Sequence, residues 1–154
     1  MRRATHVIPA GDWAEADTQG SVTLAYDDRH RRRIRLTDDS GEDFLLDLAE
    51  ATRISDGNGL AIKGGGILKV LAADEDVMDI GCDGLNETAR IAWHLGNRHT
   101  PVQVLNFGGL RIRHDHVLEE MAVGLGATVE RKQAPFEPEA GAYSGGGHGH
   151  SHDH

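Results

Sequence analysis

Hydrophobic and polar residues alternate over several short stretches in the first half of the chain. Such alternation is typical of half-buried β-strands, because successive side chains of a strand point to opposite faces. The stretches lie at residues 22–26, 33–36, 44–48, 60–62 and 67–71. Turn-forming clusters such as Asp56-Gly57-Asn58-Gly59 separate them, and no helical periodicity of useful length intervenes. Residues 1–72 therefore predict an all-β domain, either a small twisted β-sandwich or a half-open barrel.

The pattern changes near residue 73, where two helical stretches join four short strands. Asp83 is expected to cap a helix that runs to about Leu95, with Gly96 as its left-handed end, and Asp115 to cap a helix that ends at Gly126. The strands are predicted at 77–80, 102–105, 110–113 and 128–131. The order βαββαβ over residues 73–134 predicts a ferredoxin-like domain, which makes the whole chain α+β.

Residues 135–154 lack periodicity and predict a linker followed by a flexible arm. The arm carries four histidines that alternate with small or acidic residues: His148, His150, His152 and His154. With almost nothing apolar to bury, such a segment is expected to be disordered when free. Imidazole nitrogens suit borderline divalent metals, so the arm indicates metal binding. An expression tag or a solubilising end is the alternative, although a tag is normally an unbroken run of histidines.

Composition and charge exclude several classes of function. The chain has 154 residues, 16 of them basic and 25 acidic, which gives a formal charge of −9. This balance argues against nucleic-acid or anionic-membrane binding and favours cations. No apolar run reaches the length of a membrane span, no signal sequence follows Met1-Arg2-Arg3, and the single Cys82 suits a reducing compartment. We therefore expect a soluble cytoplasmic protein.

The sequence lacks the common signatures of catalysis. Lys63-Gly64-Gly65-Gly66 does not have the spacing of a nucleotide-binding loop, and there is neither a His-Glu-x-x-His pair nor a paired-cysteine zinc motif. Cys82 has no obvious activating neighbour, and the carboxylates are scattered as surface charges usually are. The prediction is that the chain is not an enzyme.

A basic run interrupts the acidic β-rich half, from Arg29 through His30 to Arg33. Its simplest interpretation is a solvated strand edge that also deters pairing with other chains. A patch for an acidic protein partner is the alternative. His6 and His30 are expected to be ordinary surface histidines, and His94, within the first predicted helix, a partly buried one.

Three histidines outside the arm are candidate ligands. His99 follows the first helix in a short exposed connection, where one imidazole binds metal weakly unless a two-fold axis brings a second one beside it. His114 and His116 flank Asp115 at a strand-to-helix junction, where imidazoles two residues apart can face the same way in extended structure. An auxiliary metal site is one interpretation of that pair. For Asp115 we favour helix capping over coordination.

Three segments of the second half resemble the UreE family, the urease accessory proteins that act as nickel metallochaperones. The segments are Trp93–His99, with the sequence WHLGNRH, His114–Met121, with HDHVLEEM, and Pro135–Tyr143, with PFEPEAGAY, followed by the histidine-rich end. The resemblance is specific over about 93–154 and weaker over 1–72. The β-rich pattern of the first half agrees with the family's N-terminal peptide-binding-like domain.

The resemblance implies a homodimer formed through the ferredoxin-like domains, with His99 of both chains at a shared interfacial metal. It implies that the arm's histidines complete or supplement this site, and that His114 and His116 form an additional one. Nickel(II) is the implied cargo, passed to the GTPase accessory protein and the urease apoprotein. The arm is shorter than in some relatives, so large nickel storage is not expected.

Chemistry alone does not make such a site selective for nickel. The divalent affinity order places copper above nickel and zinc close to nickel. Copper and zinc are therefore both expected to bind in vitro. The alternative function is a general cytoplasmic buffer of divalent metals, or an interaction module without a role in urease maturation. A metallohydrolase would require a carboxylate base beside the metal.

Overall fold

The computed structural model describes residues 1–141, apart from the side chain of Phe107. These residues form two compact units, residues 1–73 and residues 74–141, each with its own hydrophobic core. The four histidines predicted in the arm, at 148, 150, 152 and 154, lie outside the described residues. No helix within residues 1–141 is long and apolar enough to cross a membrane.

The first unit is a single six-stranded sheet, which confirms the all-β prediction. Its strands are β1 (Arg2–Ile8), β2 (Thr18–Leu24), β3 (His30–Thr37), β4 (Asp43–Arg53), β5 (Gly59–Ile62) and β6 (Ile67–Ala72). They lie in the order β2-β6-β5-β1-β4-β3, with β1 parallel to β4 and β2 parallel to β6. The alternating apolar residues fill the core, as in β4, where Phe44, Leu46 and Leu48 are buried.

The arginines of the basic run lie mostly on β3, which is an outer strand of this sheet. Arg33 pairs with Asp47 at 3.1 Å, and Arg31 pairs with Asp28 at 3.2 Å. The solvated-edge interpretation therefore describes β3 well, since local carboxylates balance its charges. It is wrong for Arg29, which precedes the strand and is 1 % exposed.

The opposite outer strand, β2, is covered by the turn between β3 and β4. The backbone N–H of Asp39 donates to the carbonyl of Ser21 at 2.8 Å. The Asp39 carboxylate accepts from the Thr23 N–H at 3.1 Å and from the hydroxyls of Ser21 and Thr23 at 2.6 and 2.9 Å. This turn links the two ends of one curled sheet, which corresponds to the half-open barrel rather than to the sandwich.

Replacing Asp39 by alanine is expected to destabilise the protein by about 1–2 kcal/mol, because three donors on β2 lose a charged acceptor. Equilibrium unfolding in urea measures the change. Asp39→Asn is the matched control, since it keeps one acceptor oxygen and should lose less. Equal unfolding midpoints for Asp39→Ala and the native chain would show that the turn does not hold the barrel closed.

The second unit is a ferredoxin-like βαββαβ fold, as the sequence predicts. Its elements are β7 (Asp74–Gly81), α1 (Leu85–Asn97), β8 (Gln103–Val104), β9 (Leu110–Arg113), α2 (His116–Gly124) and β10 (Thr128–Pro135). The four strands are antiparallel in the order β10-β7-β9-β8. Both helices pack on one face, where Met78 and Ile112 of the sheet meet Leu95 of α1 and Leu118 of α2.

The helix boundaries test the capping predictions. Asp115 caps α2 as expected, accepting from the Leu118 N–H at 3.0 Å, and Gly126 is left-handed at its end with φ 96°. Two predictions for α1 are wrong. Gly84, without a side-chain cap, takes the place predicted for Asp83, and Gly96 lies inside the helix rather than beyond its end.

The sheet face away from the helices is covered by the chain that follows β10. Strand residues alternate, so Arg111 and Arg113 lie on this face while Ile112 faces the helices. Phe136 is fully buried, with its ring centre 5.9 Å from the Arg113 guanidinium. The sequence pattern places the start of an irregular linker here, and the structure instead packs these residues against the sheet.

Candidate metal centre

Two connections of the second unit meet at a surface pocket of about 370 Å³. One connection leads from α1 to β8, and the other leads from β9 to α2. The lining residues are Arg98, His99, Thr100, Pro101, Arg113, His114, Asp115 and Leu118. The pocket therefore brings together two of the candidate ligands, His99 and His114. His116 is not among the lining residues.

His99 has a left-handed backbone, with φ 59°, and no other residue apart from glycine has positive φ within residues 1–141. Its N–H donates to the carbonyl of Gly96 at 3.0 Å, and the N–H of Thr100 donates to the carbonyl of Leu95 at 3.1 Å. This bond pair is the Schellman motif, in which the left-handed residue is usually glycine. His99 thus takes the left-handed position that the sequence pattern assigned to Gly96.

The end of α2 shows what the same motif looks like with glycine. Gly126 is left-handed, its N–H donates to Val123 at 3.0 Å, and the Ala127 N–H donates to Ala122 at 3.0 Å. The bonding matches that of α1, but the left-handed position carries no side chain. Because a left-handed backbone costs a residue with a Cβ about 1–2 kcal/mol, the imidazole of His99 is present at an energetic cost.

Replacing His99 by glycine is therefore expected to stabilise the protein by about 1 kcal/mol, since glycine takes left-handed φ without strain. Thermal unfolding of the metal-free protein measures the change. His99→Ala keeps the strained backbone and should show no such gain. Gly126→Ala is the converse control, with open space around its Cβ, and should lose about 1 kcal/mol. A His99→Gly variant less stable than the native chain would contradict the assigned strain.

Both histidines of the 114–116 pair contact a carboxylate on α2. His114 Nε2 lies 2.9 Å from Glu119 Oε1, and His116 Nε2 lies 3.0 Å from Glu120 Oε2. A carboxylate that holds one ring nitrogen fixes the ring and leaves Nδ1 available, an arrangement common behind metal-binding histidines. The two rings differ in exposure, at 16 % for the His114 side chain and 77 % for that of His116. Only His114 reaches the pocket.

The charges around the pocket are mixed. Arg98 and Arg113 line it beside the two imidazoles, and Asp115 supplies a carboxylate whose Oδ1 already caps α2. Guanidinium groups repel a divalent cation, so the pocket favours weak rather than permanent metal binding. Among the described residues no three His, Cys, Asp or Glu side chains converge as a metal-binding group.

The other histidines of residues 1–141 agree with their expected roles. His94 is partly buried, with its ring packed edge-on against Trp93 at 5.0 Å between centres. His30 is exposed, and His6 contacts the Thr5 hydroxyl at 3.0 Å. None of them reaches the pocket. The pocket arginines and Glu119 were not found by sequence reasoning, although the spacing from His114 to Glu119 is a usable signal at a helix start.

Comparison with known proteins agrees with the two-domain fold. Residues 4–73 match the UreE urease accessory protein N-terminal domain, and residues 75–154 match the C-terminal domain of the same family. The chain belongs to the UreE family of urease accessory proteins. This membership confirms the resemblance, and it confirms that the chain is an accessory protein and not an enzyme.

Several relatives, each named urease accessory protein UreE, align along nearly the whole chain. The protein of a Bradyrhizobium species is 46 % identical over 99 % of this chain and 73 % of its own length. That of Beijerinckia indica is 46 % identical over 100 % of this chain and 87 % of its own length. That of Rhodobacter capsulatus is 46 % identical over 100 % of this chain and 94 % of its own length.

Proposed function

We propose that this UreE-family chain is a cytoplasmic nickel metallochaperone that binds Ni(II) between two copies and delivers it for urease assembly. The observation that carries the proposal is the strained backbone of His99 beside a surface pocket. A strained residue at a pocket is a common mark of a functional site. Imidazole nitrogen is a donor that nickel binds well.

The proposed site needs ligands from more than one part of the protein. One pocket offers His99 and His114, fewer donors than the four or more that tetragonal nickel takes. A two-fold axis beside His99 would supply the same residue from the second copy, because isologous interfaces repeat every residue near the axis. The remaining positions would be filled by His114 or by the arm histidines at 148, 150, 152 and 154.

The exposed apolar residues support association through the second unit. Six large hydrophobic side chains are more than half exposed among the described residues, and five of them lie within residues 74–141. These five are Leu85, Trp93, Val104, Val117 and Val123. Scattered apolar residues are normal on a surface, but this concentration in one unit favours an interface there. We propose that it is the homodimer interface.

Release of the metal follows from the same features. Exposed imidazoles such as that of His99 can leave the nickel one at a time, so that incoming ligands replace them without a free ion forming. The neighbouring Arg98 and Arg113 weaken the hold further by repulsion. His114 and His116, at the start of α2, are proposed as an auxiliary site, with the arm as a further source of ligands.

We propose the GTPase accessory protein and the urease apoprotein as the recipients of the nickel. Copper and zinc are expected to bind the same imidazoles in vitro, because nickel has no intrinsic advantage there. Specificity would then come from metal supply and from docking to these partners. A general metal buffer would bind the same ions without that docking.

Activation of urease apoprotein tests delivery against buffering. The nickel-loaded chain, with the GTPase accessory protein and GTP, is expected to activate urease apoprotein in the presence of a chelator that captures free nickel. The same amount of nickel added without the chain should fail under these conditions. If the loaded chain activates no better than free nickel, the protein is a buffer and not a delivery factor.

A further inference from the structure

The two outer strands of the ferredoxin-like sheet differ in how their free edges are covered. β8 has two residues, and the chain after β10 bonds to this edge: the Glu139 N–H donates to the Val102 carbonyl at 2.8 Å, and the Val104 N–H donates to Glu139 Oε2 at 3.1 Å. β10 has eight residues, which pair one to one with β7 without a bulge. No other strand within residues 1–141 pairs with the far edge of β10. Such a long and regular edge is a site where a further strand can add.

A row of small residues crosses the outer face of the sheet next to this edge. Thr128 of β10 pairs with Gly81 of β7. The register of Ile80 with Leu110 places Gly81 opposite Gly109, which directly precedes β9. We call Thr128, Gly81 and Gly109 the glycine row, and all three line a surface cavity of about 310 Å³. The row is therefore the floor of an open cavity that begins at the edge strand.

Neither glycine of the row is required by the backbone or by its neighbours. Gly109 is extended, with φ −82° and ψ 168°, and Gly81 is not among the residues with positive φ. A Cβ at Gly81 would lie 3.9 Å from its nearest neighbour, Thr128 Oγ1, and one at Gly109 would lie 3.4 Å from Leu105 Cδ1. Glycine weakens a strand, and within strands it often marks the close approach of a ligand or of another backbone. The cavity above the row is the place for such an approach.

The charges beside the row determine which segment can pair with β10. Glu130 and Lys132 lie on the same face as Thr128, because strand residues alternate. Lys132 Nζ lies 3.6 Å from Glu130 Oε1 and 3.3 Å from Asp79 Oδ2. A strand added to β10 would place residues directly opposite Glu130 and Lys132, where opposite charges stabilise pairing and like charges oppose it. The edge charges therefore deter indiscriminate pairing and select a complementary segment.

We propose that β10 binds an extended segment of a partner protein as a fifth, antiparallel strand. The segment carries a large apolar side chain opposite Thr128, a basic one opposite Glu130 and an acidic one opposite Lys132. The added strand lies two strand spacings, about 10 Å, from β7, so a large side chain can cross Thr128 towards Gly81. This inference is independent of nickel binding, because the proposed metal dimer forms beside His99, at the connection into β8 on the opposite edge.

A second copy of β10 fits this surface less well. Antiparallel pairing centred on Arg131 would place Glu130 opposite Lys132, but it would also place the two Arg131 side chains opposite each other. The residue opposite Thr128 would be Ala134, which is too small to cover the glycine row. A partner segment with a large side chain at that position is therefore the favoured occupant.

A synthetic peptide tests the site on the metal-free full chain. The end-capped peptide TTETKVW, paired antiparallel, places its Glu opposite Lys132, its Lys opposite Glu130 and its Trp opposite Thr128. Titrated into the isotope-labelled protein, it is expected to cause saturable amide shifts in β10 and at Gly81 and Gly109. Replacing its Trp by Ala should weaken binding by at least about fivefold, and exchanging its Glu and Lys should do the same.

Two protein variants separate recognition from damage to the fold. Glu130→Lys should weaken binding of TTETKVW and restore it for TTETEVW, in which Glu replaces Lys. Gly81→Val, which fills the glycine row, should weaken binding of the Trp peptide and leave binding of the Ala peptide unchanged. A fold defect would instead weaken binding of every peptide alike.

The absence of saturable shifts at millimolar peptide would overturn the inference. Equal affinity for the charge-exchanged peptide would do so as well, as would equal weakening of the Trp and Ala peptides by Gly81→Val. Shifts in β10 that grow with protein concentration alone, and that Glu130→Lys abolishes, would assign the edge to a second copy of the chain and would also overturn it.

Discussion

Replacing His99 by alanine is expected to weaken the tightest nickel binding by at least about 100-fold. In the proposed dimer one substitution removes two ligands from the same ion, whereas loss of a supporting residue behind a ligand already costs about 10- to 100-fold. Isothermal titration with nickel, in competition with a chelator, measures the loss. The substitution keeps the strained backbone of His99 and an exposed site, so the fold should persist.

Two histidine controls separate a specific loss from a general one. His94→Ala removes a partly buried imidazole that lies outside the pocket, and it should leave nickel affinity unchanged. His116→Ala should lower the stoichiometry but spare the tightest site. Survival of that site in the His99→Ala variant, at native strength, would mean that the interfacial assignment is wrong.

The second large effect is the loss of nickel on mild acidification. A protonated imidazole cannot ligate, and histidine side chains ordinarily take up a proton near pH 6.5. For two imidazole ligands the affinity is expected to fall by about 100-fold between pH 7.5 and pH 5.5. A chromophoric nickel indicator measures the release. An affinity that stays constant over this range would exclude imidazole ligation.

The fold should survive the acidification that releases the metal. Hydrogen bonds from Arg131 lower the pKa of Asp76, and hydrogen bonds from Arg111 lower the pKa of Asp79 despite its partial burial. Carboxyls with a depressed folded-state pKa stabilise the protein above their unfolded pKa, near 3.9, and this stabilisation is lost only as the pH falls further. Circular dichroism should therefore remain native at pH 5.5. Unfolding in step with nickel release would contradict this separation.

The ferredoxin-like half was predictable because its signals are local. Asp115 before an apolar helical stripe and Gly126 after it predict both ends of α2, and the structure has both.

In the first half the alternation predicts five strands but misses β1. The strand begins with two basic residues, Arg2 and Arg3, and Arg2 pairs with the buried Asp38 at 2.8 Å. Only the folded sheet supplies that partner.

The candidate site was predictable in its histidines but not in its geometry. Glycine is the usual left-handed residue, so the pattern points to Gly96, whereas α1 continues to Asn97 and the left-handed position falls on His99. The packing of the chain after β10 was missed because a single Phe136 among Pro and Glu residues has no periodicity. Long-range packing determines both the position of the left-handed residue and the packing of the chain after β10. A local sequence pattern carries no information about such packing.

In the proposed dimer, two copies of His99 hold one nickel ion across a two-fold axis. Native mass spectrometry of the chain truncated after Gly147, loaded with less than one nickel per chain, tests this shared ligation. We predict a species of two chains with one nickel, absent from the His99→Ala variant. A single chain that carries one nickel with undiminished affinity would contradict ligation by two copies of His99.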